Sequence, residues 1–261
     1  MTRTDKSQNG LTLIELLIGM VIAVIVSAML LLSWFALNRS FVFAVNSGES
    51  RDNARLALSR MQREVRDAQQ PPYGYPVAGL NEAAIYRART YWIAFFTTFN
   101  KAGNNSANWT QVGASKIAVA TAPHLIVYRL YSDGKLYRFE DLNGNGFIDM
   151  TSGTFDMSPS TDTPAGYDLN EETRGEGASL LLKNVVNYTA IPSSPTPLFV
   201  YSYYDDAGHL QSDPPDPPRL DTEYRRALIA VQIHTLVDVN PRKAPVFVDL
   251  VSTAQLRNQR N

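Results

Sequence analysis

The chain contains no cysteine, which excludes disulfides, zinc–thiolate sites and cysteine nucleophiles together. The absence does not assign a redox compartment, since an exported protein can dispense with cysteine. Charge is balanced: 24 Lys and Arg stand against 25 Asp and Glu. No basic excess calls for nucleic acid, and no acidic tail calls for a basic partner. Only three histidines occur, His124, His209 and His234. They lie far apart, outside any HExxH spacing, and read as packing or surface residues. There is no G-x-S-x-G elbow, phosphate-binding loop or dinucleotide fingerprint. The adjacent acids Asp205–Asp206 and Glu171–Glu172 fall in turn-like segments and read as solvated. No catalytic residue and no enzyme is expected. No internal repeat is evident either.

What is present is a long apolar run near the N-terminus, "GLTLIELLIGMVIAVIVSAMLLLSWFAL" over residues 10–37. Residues 16–37 carry no charge, and as a helix they reach roughly 33 Å, enough to cross a bilayer core. The preceding "MTRTDKSQNG" is polar, with Arg3 and Lys6 against Asp5. Basic residues ahead of a span hold that end in the cytoplasm, so the remainder is expected outside it. A cleaved secretory signal would be shorter and would end in a small-x-small site. "VSAMLLLS" would leave apolar residues behind any cut. Glu15 is the oddity. A carboxylate within a span costs at least ~2–3 kcal/mol and is usually functional. The alternative places it among the headgroups with no role.

The stretch "GLTLIE" at 10–15 resembles the N-terminal signal of type IV pilins and type II secretion pseudopilins. That signal is a short polar leader ending in Gly, followed by an apolar residue and by Glu at the fifth mature position. The resemblance implies cleavage between Gly10 and Leu11 by a prepilin peptidase, then N-methylation of Leu11. Phe is the commoner first mature residue in the family, and Leu11 departs from it. The resemblance further implies that Glu15 of one subunit pairs with the Leu11 amine of a neighbour during filament assembly. Such a pair recovers part of the cost of two charges in low dielectric. It also rewards one axial stagger, as buried polar groups fix coiled-coil register. Gly19, Ala23, Ser27 and Ala28 offer small-residue patches for close helix approach, or are ordinary small residues of a membrane helix.

Trp34 and Phe35 fall where an interfacial aromatic belt is expected. Beyond them Ala54, Leu58, Met61, Val65 and Ala68 recur in steps of four and three, one face of an amphipathic helix. Arg60–Glu64 and Arg63–Asp67 read as i,i+4 pairs on its solvated side. Gly48 is the weak point, costing ~1 kcal/mol relative to Ala in a helix interior. The helix is expected to end at Pro71–Pro72. The wording "ARLALSRMQREVRDA" and the closing "VSTAQLRN" resemble minor subunits of the J and W classes. No Pro interrupts the membrane half, a departure from many major pilins.

From residue 71 onward, short apolar runs alternate with Gly, Asn, Asp and Pro. Residues 84–98 read as a strand or a short helix, and "NKAGNNSANWTQVGAS" as a loop. "HLIVYRLYSDGKLYRFED" reads as a hairpin around Asp133–Gly134. "NVVNYTA", "LFVYSYY", "RALIAVQIHTLVDV" and "VFVDLVSTAQLRN" read as four further strands, and "SDPPDPPRL" as a surface loop or connector. The expected fold is α+β and pilin-like. A long N-terminal helix, membrane-spanning and then amphipathic, packs on a mainly antiparallel sheet. The expected organisation is a leader at 1–10, a transmembrane helix at 11–37, its amphipathic continuation at 38–70 and an extracytoplasmic β-rich domain at 71–261.

One loop suggests a metal. In "DLNGNGFID", Asp141, Asn143, Asn145 and Gly146 fit positions one, three, five and six of a calcium loop. The Phe147 carbonyl would take seven and Asp149 nine. Position twelve is Ser152, where a bidentate acid belongs, and Asp156 reaches in only if the exit differs. An Asn/Gly-rich turn needs no metal, so both readings stand. Any calcium would be structural, and no cofactor is required.

The leading expectation is a minor pilin or pseudopilin at a filament tip or in assembly initiation. The resemblance implies as partners other minor subunits, the major subunit, prepilin peptidase, an inner-membrane assembly platform and lipid. It implies a single pass through a bacterial inner membrane before entry into a pilus or pseudopilus. The alternatives are a membrane-anchored extracytoplasmic enzyme or binding domain, or a calcium-dependent binding module on a stalk, such as an adhesin.

Overall fold

In the computed structural model the described residues are 12–70, 84–98, 109–112, 115–118, 123–142, 148–150, 153–154, 177–189, 194–205, 207–211, 228–241 and 245–256. They form an α+β fold in which one long N-terminal helix is followed by antiparallel sheets. The helix α1 runs Leu13–Arg66 without a break at Gly48. It divides between two compact units, residues 1–48 and residues 49–261.

Within the first unit the described helix exposes nearly all of its apolar side chains, Ile22, Leu32 and Trp34 among them. It is the one described helix long and apolar enough to cross a membrane.

The strands of the second unit are β1 (Ile85–Ala88), β2 (Trp92–Thr97), β3 (Trp109–Val112), β4 (Ser115–Ala118), β5 (His124–Leu130), β6 (Leu136–Glu140) and β7 (Asp149–Met150). There follow β8 (Gly153–Thr154), β9 (Ser179–Leu182), β10 (Phe199–Tyr204), β11 (Leu210–Gln211), β12 (Leu228–Asp238) and β13 (Phe247–Gln255). A five-stranded sheet has the order β1-β2-β5-β6-β9, and a four-stranded sheet the order β11-β10-β12-β13. Their described pairings are antiparallel. Period-two alternation sorts β2 cleanly. Ile93 and Phe95 join the core shared with Leu58, Met61 and Val65 of α1, while Trp92, Ala94 and Phe96 join a second, aromatic-rich core. Strands β2, β5 and β6 are buried along their whole length, with Arg129, Arg138 and Glu140 included.

Several expectations need correction. Residues 84–98 are two strands, paired by a turn that closes when Arg89 N–H donates to Trp92 O. The segment expected as a loop at 100–115 contains β3 and the start of β4, which pair with each other. "NVVNYTA" is not a strand. Val185 makes a single bridge to Val237, and Asn184 adopts φ 59°, which bends the chain out of any ladder. Asn tolerates that left-handed conformation better than most residues. The helix stops at Arg66, short of the prolines, because the sheet takes over. Asp67 and Ala68 N–H donate to Arg63 O and Val65 O; Gln69 N–H donates to Phe96 O, and Ala68 bridges Thr97.

The hairpin at Asp133–Gly134 is as expected, with Gly134 at φ 76°. Gly177, at φ 61°, is needed more stringently. A Cβ there would lie 2.6 Å from Glu140 O, so the chain entering β9 passes against the end of β6 only because it is glycine.

Candidate functional site

Two carboxylates on α1, Glu15 and Glu64, have unlike surroundings. At the helix start Thr12 precedes the first helical residue and Glu15 stands three positions later, a reciprocal capping arrangement. Glu15 Oε2 accepts from Thr12 N–H at 2.9 Å and from Thr12 Oγ1–H at 2.9 Å. Glu15 N–H is 3.4 Å from Thr12 Oγ1. Helix starts leave backbone donors without partners, and this pair of residues satisfies them from within. Both residues are exposed, and Glu15 is followed by the uncharged apolar helix. Thr12 was not singled out from the sequence, although the T-x-x-E spacing ahead of an apolar run carries the signal. Gly10 and Leu11 lie outside the described residues.

Glu64, expected on the solvated side of the helix, is fully buried. It sits beside Met61 and Val65 on the packed face, and three donors converge on it. Arg60 Nε and Arg138 Nε donate at 3.0 Å, and Tyr128 OH donates at 2.5 Å. Arg138 also donates through Nη1 to Glu140 at 2.5 Å. His124 Nε2 lies 3.2 Å from Glu140 Oε1, at ion-pair distance but outside hydrogen-bond alignment. Burial and the Glu64 charge together push the Tyr128 hydroxyl well above its ordinary pKa, so it stays a donor. Burial works against the Arg138 charge, but Glu64, Tyr128 and Glu140 outweigh it and raise its pKa. The network joins α1 to β5 and β6 with its charges paired, the condition under which buried ions persist. Arg60 apart, its side chains are buried, and it reads as structural.

The other sequence-marked groups are placed as follows. Asp141 is buried at the end of β6, and its N–H donates to Leu125 O. Asn143, Asn145, Gly146 and Phe147 lie outside the described residues, as do Ser152 and Asp156. Asp149 begins β7. Among the described residues no group of three or more His, Cys, Asp or Glu could hold a metal ion. His234 meets Asp249 at 2.5 Å across the outer face of β12 and β13, and His209 lies 3.7 Å from Asp205. Asp205 caps its turn, accepting from Gln211 Nε2 and from the N–H groups of His209 and Ala207. Those bonds hold its carboxyl below the ordinary aspartate range. Asp206 and the Glu171–Glu172 pair lie outside the described residues.

Residues 5–31 match the family model described as the prokaryotic N-terminal methylation motif. The matched segment contains Gly10, Leu11, Thr12 and Glu15 and runs on into the exposed apolar half of α1. The match shows that motif in the N-terminal segment, and the helix that continues it is long and apolar enough to cross a membrane. No curated protein matches the chain.

Proposed function

We propose that the chain is a structural subunit of a thin envelope filament, a type IV pilus or a type II secretion pseudopilus, and that it is a minor subunit of the J or W class. The observation that carries this reading is the methylation motif over residues 5–31 continuous with an exposed apolar helix. In this reading the leader 1–10 is removed at Gly10–Leu11 on the cytoplasmic face and Leu11 is methylated. The span 11–37 then holds the subunit in the inner membrane with the domain outside. Assembly consists of helix bundling, with Glu15 meeting the Leu11 amine of the next subunit. Thr12 keeps that carboxylate at the helix start until then. The subunit acts at the tip or in initiation, beside other minor subunits and the major subunit on the membrane assembly platform, and catalyses nothing.

Immunoblotting of sheared filaments from cells carrying the whole assembly machinery tests the assembly role. Wild-type chain is expected in the sheared fraction, and Glu15→Ala is expected to stay in the membrane. Equal recovery of both would contradict it. For the loop at 141–149 the sequence pattern supports a structural calcium. A melting temperature that rises with calcium in wild type but not in Asp141→Ala would bear that out, and no rise in wild type would exclude it.

A further inference from the structure

Helix α1 stays apolar for longer than a bilayer is thick. From Leu16 to Val45 its side chains are exposed and mostly apolar. As a helix that stretch rises ~45 Å, against a hydrocarbon core of ~30 Å. Tilting does not absorb the excess, because at the ~40° upper end of observed tilts it still projects ~34 Å. Apolar length alone therefore leaves the depth of the helix free to vary by about ten residues.

Charge removes that freedom. Between Glu15 and Glu49 the sequence holds a single charged residue, Arg39. It lies in the polar step Asn38–Arg39–Ser40, with apolar helix before it and Phe41, Val42 and Phe43 directly after it. The rise from Glu15 to Arg39 is ~36 Å, the core thickness plus a few Å of headgroup at each side. With both groups among headgroups, Leu16–Leu37 fills the core and Trp34 falls at the interface. Sinking the helix by two turns would drag Arg39 into hydrocarbon, where a cation is costly. Direction favours the headgroups as well. Cα–Cβ bonds lean toward a helix N-terminus, so a cation at the C-terminal end of a span leans back toward the bilayer. Here the preceding turn on that face carries Phe35. A guanidinium presents five N–H donors in a planar fork that matches phosphate.

We propose that Arg39 is a lipid-phosphate site. It binds headgroup phosphate of the leaflet nearer the C-terminal domain and so fixes the depth of the helix. Phe41, 69 % exposed, and Val45 are thereby kept beyond the hydrocarbon instead of being drawn into it. The inference rests on the membrane-anchored part of the reading above and names the residue that sets its depth.

The lack of cysteine makes depth measurable. Full-length chains with Ile25→Cys, Phe41→Cys or Val45→Cys are reconstituted into vesicles of phosphatidylcholine and phosphatidylglycerol. Labelling by a membrane-impermeant maleimide is scaled to Tyr204→Cys, an exposed domain position. Positions 41 and 45 are expected to label and position 25 to be protected. Adding Arg39→Leu should lower labelling at 41 about fivefold, the pull of one basic residue at an anionic surface. Arg39→Lys should keep most of it. In vesicles of a galactolipid with the same acyl chains and no phosphate, the wild-type Arg39 background should fall to the Arg39→Leu level. Unchanged labelling in Arg39→Leu, or equal labelling in the two kinds of vesicle, would overturn the phosphate site. Position 25 separates the two ideas. If it is protected while Arg39 makes no difference, the site alone is removed. If it labels as freely as position 204, the span and the site are both removed.

Discussion

Glu15 and Glu64 lie on the same helix and are both ionisable acids among apolar neighbours, yet they are handled in opposite ways. Glu15 is exposed, and the described donors on it come from Thr12 three residues away. The described donors lie within the first turn of the helix, and in the proposed assembly this leaves the carboxylate able to meet an incoming amine. Glu64 is fully buried and draws donors from one helix residue and two strands. A group so bound cannot be exchanged without opening the domain. One helix therefore carries one carboxylate held by its own first turn, the one proposed for assembly, and one that joins helix and sheet within the molecule.

The sharpest way to break that contrast is to remove Glu64. Glu64→Ala leaves Arg138 and Tyr128 facing an empty site, and stranding a buried charge costs about 3–5 kcal/mol. Thermal unfolding of the full chain in detergent should show a melting temperature lower by roughly 10 °C. Glu64→Gln, which keeps the side-chain shape, should lower it less. Near-wild-type melting of Glu64→Ala would mean that the network is ornamental.

The matching change at the other acid should leave the domain alone. Glu15→Ala removes a helix cap worth about 1 kcal/mol or less to the first turn, so the melting temperature of the second unit should not move while filament entry is lost. A joint loss of domain stability and assembly would mean that the two acids are not independent.

The smallest effect concerns Asp205. Its pKa is lowered on folding by Gln211 and the His209 and Ala207 N–H groups. Its contribution to stability is therefore complete above the ordinary aspartate pKa and disappears as pH falls through the lowered folded value. Hydrogen exchange of residues 207–211, followed from neutral pH into acid, should quicken only in that acid window. The loss should be absent in Asp205→Asn.

The same contrast shows what could be read without coordinates. Glu15 stands out because residues 16–38 after it are uncharged, so one acid is a strong signal. Glu64 lies in a charge-rich stretch where an Arg four residues away makes a surface pair the default. Only the flank of the stripe hinted otherwise: Ala57, Met61, Glu64 and Ala68 also repeat at four, three and four. The buried face is wider than the single row read from the sequence. Its real partners, Tyr128 and Arg138, are remote in sequence and are brought together by the β5–β6 register. The hairpin at Gly134 and strands β10, β12 and β13 were legible from turn residues and β-rich runs. The residues after β9 were not, because "NVVNYTA" has strand composition but is diverted at Asn184. The start of α1 was legible as a motif, whereas the role of Thr12 needed the hydrogen bonds.

In the proposed function the chain is made as a precursor whose N-terminus is recut for assembly. Intact mass of the membrane-extracted protein, with and without a co-expressed prepilin peptidase, tests it most directly. Loss of residues 1–10 plus one added methyl group is expected only when the peptidase is present. An unchanged mass beside an active peptidase would contradict it and leave an anchored domain whose Glu15 merely caps a helix.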